Sequence, residues 1–182
     1  MNNNILFDNL EQKLETIKSC AFYQPYIEEL KEAYEKDKTV DTTLDYKSFM
    51  CYYTTGSRKE YEDKYYARRN QLGQALMLYL LYEEQEYMDA LCEVIWAICN
   101  EITWVLPAHL ADVPVENYRT HIDLFAAETA HSLAEVECLL GDKLPNRIRE
   151  LIRHEVKERT FDAYESRPYF WEKLISNWPG VC

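Results

Sequence analysis

At 182 residues the chain is long enough for one domain with a buried core, and a hydrophobic content of 47% excludes a disordered polymer. Only four residues are glycine, which leaves few tight turns, excludes a many-stranded β fold and favours helices. A formal net charge of −12 with no basic stripe excludes nucleic acid as a partner, and any acidic ligand has to meet a local basic pocket.

The first residues, Met1 to Asp8, have neither a basic region nor a long apolar run, so no secretory signal is expected and the chain is expected to be cytoplasmic. No apolar run approaches the roughly 18 residues of a membrane span, so no membrane partner is expected. Residues 5–19 and 25–37 read as two short amphipathic helices, the second opened by Pro25. Residues 38–57 read as loop. Ser57 is a suitable N-cap, and Glu60 three positions on completes a capping box.

The helix that follows runs from Arg58 to Tyr82, with Tyr65, Leu72, Leu76, Tyr79 and Leu80 as its apolar stripe. After a break at 83–86, a second long helix runs from Tyr87 to Ile102 and turns Leu91, Val94, Ile95, Ile98 and Cys99 inward. Trp104-Val105-Leu106-Pro107 ends it, because the residue before proline is pushed out of the α region. Residues 107–120 read as loop. From His121 to Leu140, the residues Ile122, Phe125, Ala126, Thr129, Leu133, Val136 and Leu140 recur every three or four positions, and Gly141 follows as a natural C′ residue. Pro145 opens a further helix through Phe161, with Ile148, Leu151, Ile152 and Val156 inward, and a last short helix covers Tyr169 to Ile175.

This pattern predicts an all-α fold of antiparallel helix pairs in a single domain over 1–182, of which 1–57 is the least distinctive part. No repeat of fixed period is present, so bundle, solenoid and toroid remain alternatives. The six cysteines are scattered with no close pair, the pattern of reduced thiols. Glu128-x-x-His131 occurs once, whereas a di-iron bundle needs two copies, so neither a metal nor another cofactor is expected. Arg147, Arg149, Arg153, Lys157 and Arg159 alternate with Glu150, Glu155 and Glu158, which reads as a solvated helix face.

Two segments do not read as ordinary helix surface. Trp96 to His109 gathers two Trp, a His, an Asn and a Glu around a helix end, and Trp171 to Cys182 combines two Trp with Asn177. Trp rings stack on the apolar face of a pyranose while amides and imidazoles bond its hydroxyls; the same composition also builds an aromatic core. Trp96-x-x-Cys99-Asn100-Glu101-x-Thr103-Trp104-Val105-Leu106-Pro107-Ala108-His109 resembles the corresponding stretch of heparinase II/III-like polysaccharide lyases. So do Ile122 to Ala130 followed by Leu139-Leu140-Gly141-Asp142, then Glu158-Arg159-x-Phe161-x-x-Tyr164, and the ending Asn177-Trp178-x-x-Val181-Cys182. The four segments occur in the family's order and cover roughly residues 60–182.

The resemblance implies part of an incomplete α/α toroid forming one wall of a glycan cleft. It implies cleavage of uronic-acid-containing polysaccharide by β-elimination, in which a polar side chain neutralises the substrate carboxylate so that the neighbouring C5 proton can leave. By resemblance Asn177 is that contact, with Trp104, His109, Trp171 and Trp178 binding substrate. The family's catalytic Tyr and His fall beyond residue 182, so residues 1–182 are expected to be inactive alone and to self-associate through an uncovered apolar face. The alternatives are a non-catalytic carbohydrate-binding module and a helical scaffold for protein interaction.

Overall fold

A computed structural model describes residues 8–168, and among them no strand is present. The α-helices are α1 (Leu10–Ser19), α2 (Gln24–Asp37), α3 (Tyr46–Thr55), α4 (Lys59–Tyr82), α5 (Gln85–Cys99), α6 (Leu124–Leu140), α7 (Asn146–Val156) and α8 (Ala163–Ser166). Short 3-10 turns cover Pro107–His109, Val115–Thr120 and Gly141–Lys143, and a π-helical stretch, Lys157–Asp162, joins α7 to α8. The all-α expectation is met. The expected last helix at Tyr169–Ile175, with Trp171, Asn177 and Trp178, lies outside the described residues.

At 24 residues α4 spans about 36 Å and is the central rod against which α1, α2, α3 and α5 pack. It ends at Glu83, a non-glycine residue at φ 55°, and the chain re-enters a helix two residues later. The main core joins α2, α4, α5, α6 and α7 through Tyr34, Leu72, Leu78, Leu91, Ile95, Ile98, Leu133, Val136 and Ile152. All five residues assigned to the inner face of α5 are buried, as are Ile122, Ala126, Thr129, Leu133, Val136 and Leu140 at and along α6. No helix among the described residues is long and apolar enough to cross a membrane.

Three expectations are corrected. The stretch read as loop over 38–57 contains α3, which starts where the Asp45 carboxylate accepts the Ser48 N–H at 2.8 Å and stops at Gly56, at φ 77°. The capping box at Ser57 does not form: the N-cap position of α4 is Arg58, and the Ser57 hydroxyl meets the Glu60 carboxylate instead of a backbone N–H. Finally, α5 ends at Cys99 rather than Ile102, because the backbone beyond it is held by partners from distant parts of the chain.

Candidate functional site

The stretch from Thr103 to Pro107 is wholly buried although it contains no α-helix. A buried irregular backbone is stable only when its polar groups find partners, and here they do. The Arg159 guanidinium donates to the carbonyls of Cys99 at 2.8 Å and Glu101 at 2.9 Å. The Tyr65 hydroxyl donates to Trp104 O at 3.1 Å, so the Thr129 hydroxyl, 3.2 Å away, is left to donate to Tyr65. The Tyr53 hydroxyl donates to Pro107 O at 3.0 Å, and Thr103 Oγ1 accepts from Val105 N at 3.1 Å.

Glu101 fastens the same loop through its side chain. Arg69 donates to both carboxylate oxygens, at 2.5 and 2.6 Å, and Arg68 adds a third bond at 2.8 Å. Burial pulls Arg69 down, but the Glu101 charge and hydrogen bonds outweigh it and hold the guanidinium above its ordinary value. Arg159 is drawn below its ordinary value by burial, with nearby Arg119 acting in the same direction against Glu155. The reading of the α7 basic run as a solvated face is therefore corrected at Arg159, which is 1% exposed. Its neighbours Arg147, Arg153 and Lys157 do face solvent.

This loop delivers two of the residues singled out in the sequence to very different places. Trp104 is 1% exposed, its indole N–H donates to Ile98 O at 3.0 Å, and the Arg159 guanidinium lies 4.6 Å from its ring centroid. The expectation of a partly exposed stacking ring is corrected: in this conformation both ring faces are covered by protein, so Trp104 is a core anchor.

His109 is placed otherwise. It ends the 3-10 turn begun by Pro107, and its Nδ1 donates to Asp123 Oδ2 at 2.6 Å. The other Asp123 oxygen caps α6 by accepting the N–H groups of Phe125 and Ala126, each at 2.9 Å, so the carboxylate cannot rotate without uncapping the helix. The ring leans on Phe125, centroids 5.3 Å apart, and the side chain keeps 30% of its surface exposed. Among the described residues Nε2 has no partner, which makes it the atom left for a ligand or a proton. Tyr66, itself exposed, also packs on Phe125, centroids 6.4 Å apart. Asp123 was missed as a site residue in the sequence, where it shows only as a cap-type residue ahead of an apolar run.

His121 lies close by. Burial holds it below its usual value, with Arg167 and His109 acting in the same sense and Asp123 opposing them. The folded protein therefore keeps His121 neutral while the unfolded chain takes up a proton near pH 6.5. Its contribution is present above the unfolded value and lost as pH falls toward the folded one. Urea unfolding repeated between about pH 7.5 and about pH 5.5 should show stability falling, with a shallower fall in His121→Gln. An identical slope in the variant would remove His121 as a source.

Among the described residues, the one grouping of possible metal ligands does not suit an ion. His154, Glu155 and Glu158 bring ligand atoms within 4.8 Å of one another, but Glu155 is already bonded to Arg119 at 2.5 Å and Arg159 at 2.7 Å. Two guanidinium groups on one carboxylate occupy the charge a cation would use. Cys20, Cys51, Cys92 and Cys99 are free thiols, and burial pushes Cys99 up to about 12, an inert value. No family model and no curated protein matches the chain.

Proposed function

We propose that the chain is the helical, carbohydrate-facing part of a heparinase II/III-like polysaccharide lyase that cleaves uronic-acid-containing polysaccharide by β-elimination. In this reading α4 with α5, and α6 with α7, are antiparallel hairpins of an incomplete α/α toroid. The sequence support is the resemblance of four ordered segments. The structural observation that carries the reading is His109: a partly exposed imidazole oriented by a fixed carboxylate, with its second nitrogen unpartnered and its ring on Phe125, which exposed Tyr66 also touches. Abstraction of the C5 proton requires that the adjoining uronate carboxylate be bonded by polar groups already in place, and a histidine so held is a group of that kind. By resemblance Asn177 is a second. The tyrosine that moves the proton stands, in the family, beyond the last residue here, so residues 1–182 bind substrate without turning it over.

The test is a titration of isotopically labelled 1–182 with uronate oligosaccharides, followed by NMR. Shifts centred on His109, Phe125 and Tyr66, lost in His109→Ala while the rest of the spectrum is kept, are expected. The same samples should produce no ultraviolet absorbance of unsaturated product. Absence of binding at millimolar oligosaccharide, or binding indifferent to His109→Ala, would overturn the site; turnover abolished by a single local substitution would overturn the division of labour. The second reading, a helical scaffold without glycan chemistry, is favoured by the burial of Trp104, which removes one stacking surface. That reading predicts the binding-negative outcome.

A further inference from the structure

A second concave site shares no lining residue with the His109–Asp123–Phe125 group. It is a cleft of about 640 Å³ between α3, the first half of α4 and the turn that follows α5, within the size range of small-molecule sites. Its walls are the rings of Tyr46, Phe49, Tyr61 and Tyr118, and exposed Ile102 stands at its rim. Phe49 sets the ring lattice, with centroids 5.7 Å from Tyr61 and 6.0 Å from Tyr118.

Two polar groups in this lining lack partners. Tyr61 is 3% exposed and its hydroxyl makes no hydrogen bond among the described residues. Burial pushes it well above the ordinary tyrosine value, so it stays a protonated donor. Arg68 spends Nη1 on Glu101 and Nη2 on Thr42 O, and its Nε–H, without an acceptor, is covered by protein, so Arg68 acts on the cleft through its charge. Tyr61 and Arg68 sit two helical turns apart on one face of α4. Behind them, two guanidinium groups share the single Glu101 carboxylate, leaving a positive charge in excess inside a strongly acidic protein. Asp45, at the cleft edge, does not cancel it, because Lys64 pairs with Asp45 at 2.5 Å.

We propose that this cleft binds a small organic carboxylate with an aromatic body: the ring lies among Tyr46, Phe49 and Tyr118, and the carboxylate accepts from the Tyr61 hydroxyl, drawn there by the excess positive charge of the Arg68–Arg69–Glu101 group. A carboxylate supplies only acceptors and carries a negative charge, which suits a hydroxyl donor set over an excess positive charge. A sugar fits less well, because most polar side chains of the lining are already committed. Asp45 serves Ser48 N and Lys64, Glu101 serves both arginines, and the Asn100 amide donates to Trp96 O. The site is independent of the lyase reading, since neither His109 nor a uronate enters it.

The probe is 3-phenylpropionate, titrated calorimetrically into residues 1–182 beside its neutral amide and glucuronate. The acid should bind at least about tenfold more tightly than either, the value of one charge-assisted bond. Ile102→Glu places a negative charge at an exposed rim position and should weaken the acid about tenfold while leaving the amide unchanged. Tyr61→Phe removes a hydroxyl with no protein partner, so the fold is kept, and should weaken the acid severalfold. Any of four results overturns the proposal: no heat at millimolar acid, equal affinity for the amide, tighter binding of glucuronate, or an acid affinity untouched by Ile102→Glu.

Discussion

Replacing Glu101 by Gln should lower the unfolding free energy by about 3–5 kcal/mol, the cost of breaking a buried ion pair from one side. The carboxylate is 2% exposed and takes three hydrogen bonds from Arg68 and Arg69, whose side chains are 10% and 16% exposed. The amide keeps the shape but removes the charge, so two guanidinium groups stay in a poorly solvated place with nothing to balance them. Native domains have only about 5–15 kcal/mol in hand, so the variant should stand close to unfolding at physiological temperature. Urea unfolding followed by circular dichroism measures it, and a loss below about 1 kcal/mol would show that water reaches the cluster freely. Adding Arg69→Met to Glu101→Gln should recover part of the loss, since one uncompensated charge is then gone. The exposed pair Lys59–Asp63 is the control: Asp63→Asn should leave the midpoint where it is.

Much of the helical frame is legible in the sequence, and the reasons are local. The inner face of α5, Leu91, Val94, Ile95, Ile98 and Cys99, recurs at steps of three and four, so period finds it even though Trp96 and Ala97 continue the apolar run. Along α6, Asp123 and Gly141 bracket an apolar stripe and mark both ends. By contrast α3, Tyr-Lys-Ser-Phe-Met-Cys-Tyr-Tyr-Thr-Thr, has no Leu, Ile or Val to carry a stripe, and its buried position includes Ser48. The signal that was there is the cap pair, Asp45 ahead of it and Gly56 behind it.

The site is less legible, because its determinants are long-range. Arg159 pairs with Glu155 four residues away, which is all that a count of helical neighbours detects. Its bonds to Cys99 O and Glu101 O cross 60 and 58 residues of chain. A 3.6-residue wheel does put Arg159 on the inner face with Ile148 and Ile152, but its charge argues for solvent, and only the two distant carbonyls account for its burial. His109 is conspicuous as a residue type, but its pairing with Asp123 depends on a loop doubling back by 14 residues onto a helix cap. Trp104 shows the opposite failure: a ring whose chemistry suits sugar stacking is equally suited to a core, and only its neighbours decide.

Those neighbours set the second large effect. Trp104→Ala should destabilise the protein by about 3–5 kcal/mol, the range for emptying a buried aromatic site. The indole fills the space between the end of α5 and Arg159, and its N–H satisfies Ile98 O at the point where the helix runs out. Truncation leaves a cavity, a carbonyl with one donor fewer and an arginine without its ring face. Trp104→Phe keeps most of the volume and should cost about 1 kcal/mol, one hydrogen bond, since the Glu101 N–H still serves the Ile98 carbonyl at 3.2 Å. Unfolding midpoints and oligosaccharide titrations on the same variants separate the two roles. A sugar platform predicts lost binding at an unchanged midpoint, whereas a core anchor predicts a lowered midpoint, with binding by the remaining folded protein altered only through the His109 loop. An Ala variant as stable as the parent would return Trp104 to the surface and reopen it as a binding residue.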